Sequence, residues 1–242
     1  MKAYYHSINT FGTVDGPGIR YLLFLAGCNL GCSFCHNPDT WVRTGKTISV
    51  EEIVEEIKKY RVFYDKSGGG ITVSGGEPLL QADFVRELFT KCKEFGVHTA
   101  LDTGGFVAQA ELDKVLPHTD LVMFSLKAVD EEVHRQLTGK DNVLVLQNLF
   151  HAASQTQLVL RYVVIPGVNE SDSDLSKLAA IIKQLPPTVK IDLLPYHTMG
   201  KTKWQALKIP YKLNSVPDAS QSDMQRVRDF FANAGIKNDY VV

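Results

Sequence analysis

Six short runs of apolar, mostly β-branched residues are spaced along the chain, and the segments between them carry a different period. The runs are IRYLLFLAG (19–27), GITVSG (70–75), VHTALDT (97–103), DLVMFSL (120–126), LVLRYVVIPG (158–167) and KIDLLPY (190–196). Short and nearly uninterrupted, they read as strands buried on both faces of a parallel sheet. Between the first two, Ser49 and Glu52 make a capping box ahead of Val50, Ile53, Val54 and Ile57, which share one helical face. Val85, Leu88, Phe89 and Cys92 repeat that pattern. Further helices are expected near 108–117, 130–138, 142–153, 173–185 and 222–234, the last closed by Gly235. Six βα units imply an α/β fold with right-handed crossovers. That is fewer than a closed barrel uses, so the expected fold is an incomplete (β/α)6 TIM-type barrel with mainly parallel strands, in a single domain over 1–242. Residues 197–221 lack a period and are rich in turn formers and lysine, which predicts a long functional loop after the last strand.

Three of the four cysteines crowd into GCNLGCSFCHN (27–37), directly after the first run. Their spacing, Cys28-x3-Cys32-x2-Cys35, falls where a barrel places its chemistry. Three thiolates can hold three corners of a cubane iron-sulfur cluster and leave the fourth iron open to a small molecule. The competing reading is a zinc-stabilised binding module with His36 or Cys92 as fourth ligand. Structural zinc prefers two separated ligand pairs, and His36 is an awkward fourth ligand immediately after Cys35. Cys92 lies on an apolar helical face, the position of a core thiol.

Composition bears on the compartment in which these thiols would work. The formal net charge of -1 supplies no global field for nucleic acid or anionic membranes. The longest apolar stretch, YLLFLAG (21–27), is far short of the roughly 20 residues that span a bilayer, and the first residues lack a secretory hydrophobic segment. A cytoplasmic location follows as the expectation, where clustered cysteines serve as metal ligands or catalytic groups rather than disulfides.

Several polar residues sit at the ends of the apolar runs. SGGEP (74–78) closes the second, and its glycines either make a turn or let backbone approach a ligand. Asp102 closes the third in LDTGGF, where it caps a turn locally or faces a ligand. Lys127 ends FSLK after the fourth, as a solvated lysine or as a site cation. Arg161 interrupts the fifth run and needs an acidic partner or the site itself. His197 follows the sixth in LLPYH, as a loop residue or a ring contact.

The C-x3-C-x-aromatic-C pattern, with Phe34 as the aromatic, resembles the signature of the radical S-adenosylmethionine (SAM) enzymes. The resemblance implies a 4Fe-4S cluster on Cys28, Cys32 and Cys35 whose open iron chelates the methionyl group of SAM. Reductive cleavage would then yield a 5′-deoxyadenosyl radical that abstracts hydrogen. It implies cofactor contacts from Phe34, His36, Gly75, Gly76, Glu77, Asp102, Ser125, Lys127, Arg161 and His197, with Lys127 also in the catalytic set. The blocks GTVDGPGIR, GCNLGCSFCHNPDTW, SGGGITVSGGEPLLQ, LDTGGF, RYVVIPG and LLPYHTMGKTKW together resemble the glycyl radical enzyme activases of that superfamily. The implied partner is pyruvate formate-lyase, whose glycine loop would lie beside Asp15. Flavodoxin or ferredoxin is implied as electron donor, and a monomer suits an activator that releases each product. An activase of another glycyl radical enzyme is the alternative, although four cysteines cannot furnish the inserted ferredoxin domain that many of those carry. Family members with a monovalent cation beside the cofactor carboxylate have an Asp in LDLK where this chain has Ser125. Asp102, Thr103 and Met123 match the other ligands, so a weaker or altered cation site is expected.

Overall fold

The computed structural model describes residues 1–236. In chain order the elements are β1 (Lys2–Gly12), β2 (Arg20–Leu25), β3 (Thr47–Ser49), α1 (Val50–Ser67), β4 (Gly70–Gly75), α2 (Ala82–Glu94), β5 (His98–Thr103), α3 (Gln109–Val115), β6 (Leu121–Leu126), α4 (Glu131–Thr138), α5 (Val143–Gln155), β7 (Gln157–Val164), α6 (Asp172–Ile182), β8 (Lys190–Pro195), α7 (Lys201–Ala206) and α8 (Gln221–Asn233). The eight strands form one sheet in the order β3-β1-β2-β4-β5-β6-β7-β8. From β2 to β8 every pairing is parallel. Among the described residues the sheet does not close, because β8 and β3 are both edges.

Strand alternation gives the sheet two chemically different faces. Leu23 and Leu25 of β2, Ile71 and Val73 of β4, Val122 and Phe124 of β6, and Leu158 and Leu160 of β7 are buried in the large core shared with the helices. On the other face, Ala100, Leu121, Met123 and Val159 pack into a small apolar cluster. Continuing along that face toward the C-terminal strand ends, the side chains turn polar: Ser74, Asp102, Ser125, Arg161 and Asp192. The interior is therefore plugged at one end and open and charged at the other.

The expected six strands and seven helices are all present, and their ends are set by local chemistry. Ser49 caps α1 in a reciprocal capping box with Glu52, and Gly68 ends it in the left-handed conformation at φ 68°. Ser171 with Asp174 and Ser220 with Asp223 repeat the box on α6 and α8.

Two expectations need correcting. The first eighteen residues and residues 47–49 carried no predicted strand, yet β1 pairs antiparallel with both β2 and β3. Its side chains are mostly part-exposed and its register with β2 is interrupted twice, so neither a buried run nor a clean alternation marks it in sequence. Residues 197–221 are likewise not one structureless loop. A 3-10 turn (Thr198–Gly200) leads into α7, whose Trp204 is buried.

Replacing Ser49 by Ala removes the side-chain half of the α1 capping box, the Oγ that accepts from Glu52 N, and is expected to lower unfolding stability by about 1 kcal/mol in urea denaturation.

Candidate active site

The cysteine loop leaves β2 and is tied back to its own base. The Gly27 N–H donates to Thr40 O at 2.7 Å and the Cys28 N–H to Trp41 O at 3.1 Å. Outward, Ser33 donates through its N–H and its hydroxyl to Leu137 O of α4, at 2.7 and 3.0 Å. Asn29 Nδ2 donates to Phe106 O at 2.6 Å, and Trp204 Nε1 of α7 donates to Cys35 O at 2.8 Å. Four separate parts of the fold thus hold the loop, and its thiols face a cavity of about 640 Å³, within the usual range for small-molecule and cofactor sites.

Burial pushes the Cys32 thiol up to about 12, with Lys127 opposing and the neighbouring Cys35 and Cys28 reinforcing it. Burial also raises Cys35, opposed by the Asn37 N–H and the Trp41 side chain. Buried thiols with no carboxylate bonded to them suit a soft metal centre that displaces their protons on binding. The four-ligand zinc set is not assembled. Among the described residues, no three His, Cys, Asp or Glu side chains converge on a position for one metal ion. Cys92 is buried beside Val54 and Ile57 at the α1–α2 contact, and burial alone pushes its thiol up to about 12. The His36 ring stacks on His197 at 4.1 Å between centroids, and partial burial together with His197 lowers its pKa.

At the end of β4 the glycines are required by the neighbouring chain. A Cβ on Gly76 would stand 2.1 Å from Gly27 O, and one on Gly75, at φ +116°, 2.3 Å from Leu25 O. The Gly76 N–H donates to Leu25 O and the Glu77 N–H to Gly27 O, so this segment and the cysteine loop share one backbone junction. The Glu77 carboxylate turns inward. It accepts from Thr103 Oγ1 at 2.7 Å, Gly104 N at 2.9 Å and Leu79 N at 3.1 Å, while burial holds its pKa above the ordinary value despite those donors.

Across the cavity one guanidinium faces several carboxylates. Arg161 Nε lies 3.2 Å from Asp192 Oδ2, and its Nη1 lies 3.8 Å from Asp102 Oδ2. Burial works against the Arg161 charge, but Asp102, Asp192 and Asp15 together raise its pKa. Asp102 also accepts from Ser74 Oγ at 2.7 Å, so it faces the site rather than capping a turn. Burial, then Asp102, raises Asp15 against Arg161 and Arg20. Ser125 and Lys127 line the same cavity. The Met123 side chain does not, since it belongs to the apolar plug below, and the Thr103 hydroxyl is bonded to Glu77. Sequence reasoning missed Asp192, Ser74, Asn37 and Trp41. Asp192 had a signal, a lone acid inside an apolar run with the same parity as Leu194, which also lines the cavity.

Residues 22–179 match the radical SAM superfamily. Over 236 residues, 96% of each chain, the sequence is 43% identical to pyruvate formate-lyase 1-activating enzyme of Escherichia coli K12. The chain belongs to the radical SAM superfamily, among its pyruvate formate-lyase activating enzymes. A second relative, the pyruvate formate-lyase-activating enzyme of Listeria monocytogenes, is 45% identical over 87% of this chain and 88% of its own. A solved domain of such an enzyme from Bacteroides vulgatus superposes with a TM-score of 0.59 at 27% identity, covering 70% of this chain and 96% of that one. A radical SAM methyltransferase from Sphaerobacter thermophilus shares the fold at a TM-score of 0.65 and 18% identity, covering 90% of this chain and 64% of that one. Radical SAM proteins carry a 4Fe-4S cluster and SAM.

Cys92→Ala is expected to lose about 1 kcal/mol of stability while retaining full iron content, measured by metal analysis after anaerobic purification. Burial raises the Cys32 and Cys35 thiols, so metal held by them would have to displace their protons. Iron and sulfide uptake by the apo chain should therefore strengthen from about pH 6.5 to about pH 8.5.

Proposed function

We propose that this chain activates pyruvate formate-lyase by placing a radical on one of its glycines. One observation carries the reading: Cys28, Cys32 and Cys35 stand on a braced loop at the mouth of a cofactor-sized cavity, in a chain that matches such activases along nearly its whole length. When bound to those thiolates, the cluster supplies the electron that cleaves SAM into methionine and the 5′-deoxyadenosyl radical, which takes hydrogen from the glycine Cα.

The chain's own residues bind, orient and shield. Gly75 and Gly76 present backbone without side chains toward the methionyl end, and Glu77 holds the loop after β5 in place from beneath. Lys127 meets the cofactor carboxylate. Asp102, with Ser74 behind it and Arg161 beside it, faces the ribose. Phe34, His36 and His197 border the adenosine end, the two imidazoles stacked on one another. Asp15, on the segment between β1 and β2, lies at the rim, where a glycine loop would enter. Ser125 leaves the cavity one carboxylate poorer than a cation site built on Asp there, which leaves Asp102 to Arg161 and Ser74.

The reading extends to one catalytic domain without an inserted ferredoxin domain, acting as a monomer in the cytoplasm, with flavodoxin or ferredoxin as donor. Among the described residues, no helix is long and apolar enough to cross a membrane.

The deciding measurement is electron paramagnetic resonance of pyruvate formate-lyase incubated anaerobically with the reduced chain and SAM. A glycyl radical signal is expected, and a signal only with a different glycyl radical enzyme would assign the chain to that partner. Replacing any one of Cys28, Cys32 or Cys35 by Ala should lower SAM cleavage at least about a thousandfold, assayed as 5′-deoxyadenosine. Added sodium or potassium should stimulate wild type less than a Ser125→Asp variant; equal strong stimulation of both would refute the cation argument.

A further inference from the structure

The two tryptophans beside the cysteine loop are treated differently by the fold. Trp204 donates its indole N–H to Cys35 O at 2.8 Å. Trp41 packs edge-on against Trp204, with centroids 5.1 Å apart at 89°, but its Nε1 is buried and completes no hydrogen bond with an acceptor among the described residues. An indole nitrogen can only donate, and burying a donor without an acceptor is unfavourable. The position of Trp41 is nonetheless tightly held: its carbonyl accepts from Cys28 N at 3.1 Å and its own N–H donates to Pro38 O at 3.2 Å.

Trp41 lines the same cavity as Cys35 and packs on the indole that bonds the Cys35 carbonyl, and the Cys35 sulfur already accepts from Asn37 N at 3.4 Å. A neutral thiol is a weak acceptor, whereas a ligating thiolate is a strong one. A buried indole N–H with no acceptor among the described residues, set in the wall that carries Cys35, therefore suits a sulfur that holds metal.

We propose that Trp41 is a positioning residue for the cluster, its indole N–H donating to the Cys35 thiolate and so raising the cluster's reduction potential. The inference rests on the cluster reading above. Hydrogen bonds to ligating sulfurs stabilise the reduced, more negative state, and Trp41 adds a side-chain donor to the backbone one from Asn37. Trp204, packed against Trp41 and bonded to the Cys35 carbonyl, holds the same residue by its backbone.

The test compares wild type with Trp41→Phe as full chains reconstituted anaerobically, with iron and sulfide measured first. In a redox titration followed by electron paramagnetic resonance, the variant should show a reduced-to-oxidised ratio about tenfold lower at a given potential, equivalent to a midpoint about 59 mV more negative for a one-electron couple. An unshifted midpoint in a fully loaded variant overturns the proposal. If the variant fails to load, a Trp204→Phe chain labelled with indole-¹⁵N, whose remaining tryptophan is Trp41, decides. Hyperfine coupling of that nitrogen to the reduced cluster supports the assignment, and its absence overturns it. A wild-type chain without iron and sulfide would instead overturn the cluster reading itself.

Discussion

Two adjacent strand ends touch, backbone to backbone, and the cavity is organised around that contact. Gly27 donates to Thr40 and accepts from Glu77, each at 2.7 Å, so the loop leaving β2 and the segment leaving β4 are one hydrogen-bonded body. A single Cβ at Gly76 would collide with the Gly27 carbonyl at 2.1 Å. The parallel register Leu25↔Gly75 brings these ends level, and glycine lets them close. Cysteine geometry thus depends on the strand next door as much as on the cysteine spacing.

The same economy of space governs the charges. Glu77 is buried yet accepts three hydrogen bonds, which ties the loop after β5 into the junction. Arg161 is the centre of the opposite wall, with Asp192, Asp102 and Asp15 all favouring its charged form. A guanidinium in such a place is tolerable because its acidic partners are fixed by the fold, Asp192 level with Arg161 on neighbouring β8, Asp102 on β5, and Asp15 on the segment between β1 and β2. The rigid wall keeps polar groups aimed inward before any ligand arrives, which lowers the ordering cost of binding.

Much of this was legible beforehand. Buried parallel strands and capped helices announce themselves through local composition, so six βα units were readable from runs such as GITVSG and from the Ser49–Glu52 box. The cysteine loop and the polar residues at strand ends were readable because each type is conspicuous against an apolar run. β1 escaped because its burial is partial and comes from pairing with β2 and β3, a relation no single stretch encodes. Trp204 escaped for a similar reason: the turn-rich segment around it has no period, and its burial follows from packing over Cys35 and Trp41.

Residue chemistry is local, and so the chain alone announced thiols spaced for a metal cluster, a strand-helix alternation and the family they belong to. Convergence is not local. That Asp192 meets Arg161, that Glu77 reaches under β5 rather than outward, that Met123 plugs the interior instead of lining the cavity, and that the Trp41 indole ends beside Cys35 were decided by strand register and loop packing. The first two contacts join residues tens of positions apart, and all are settled only when the sheet has brought its C-terminal edge together.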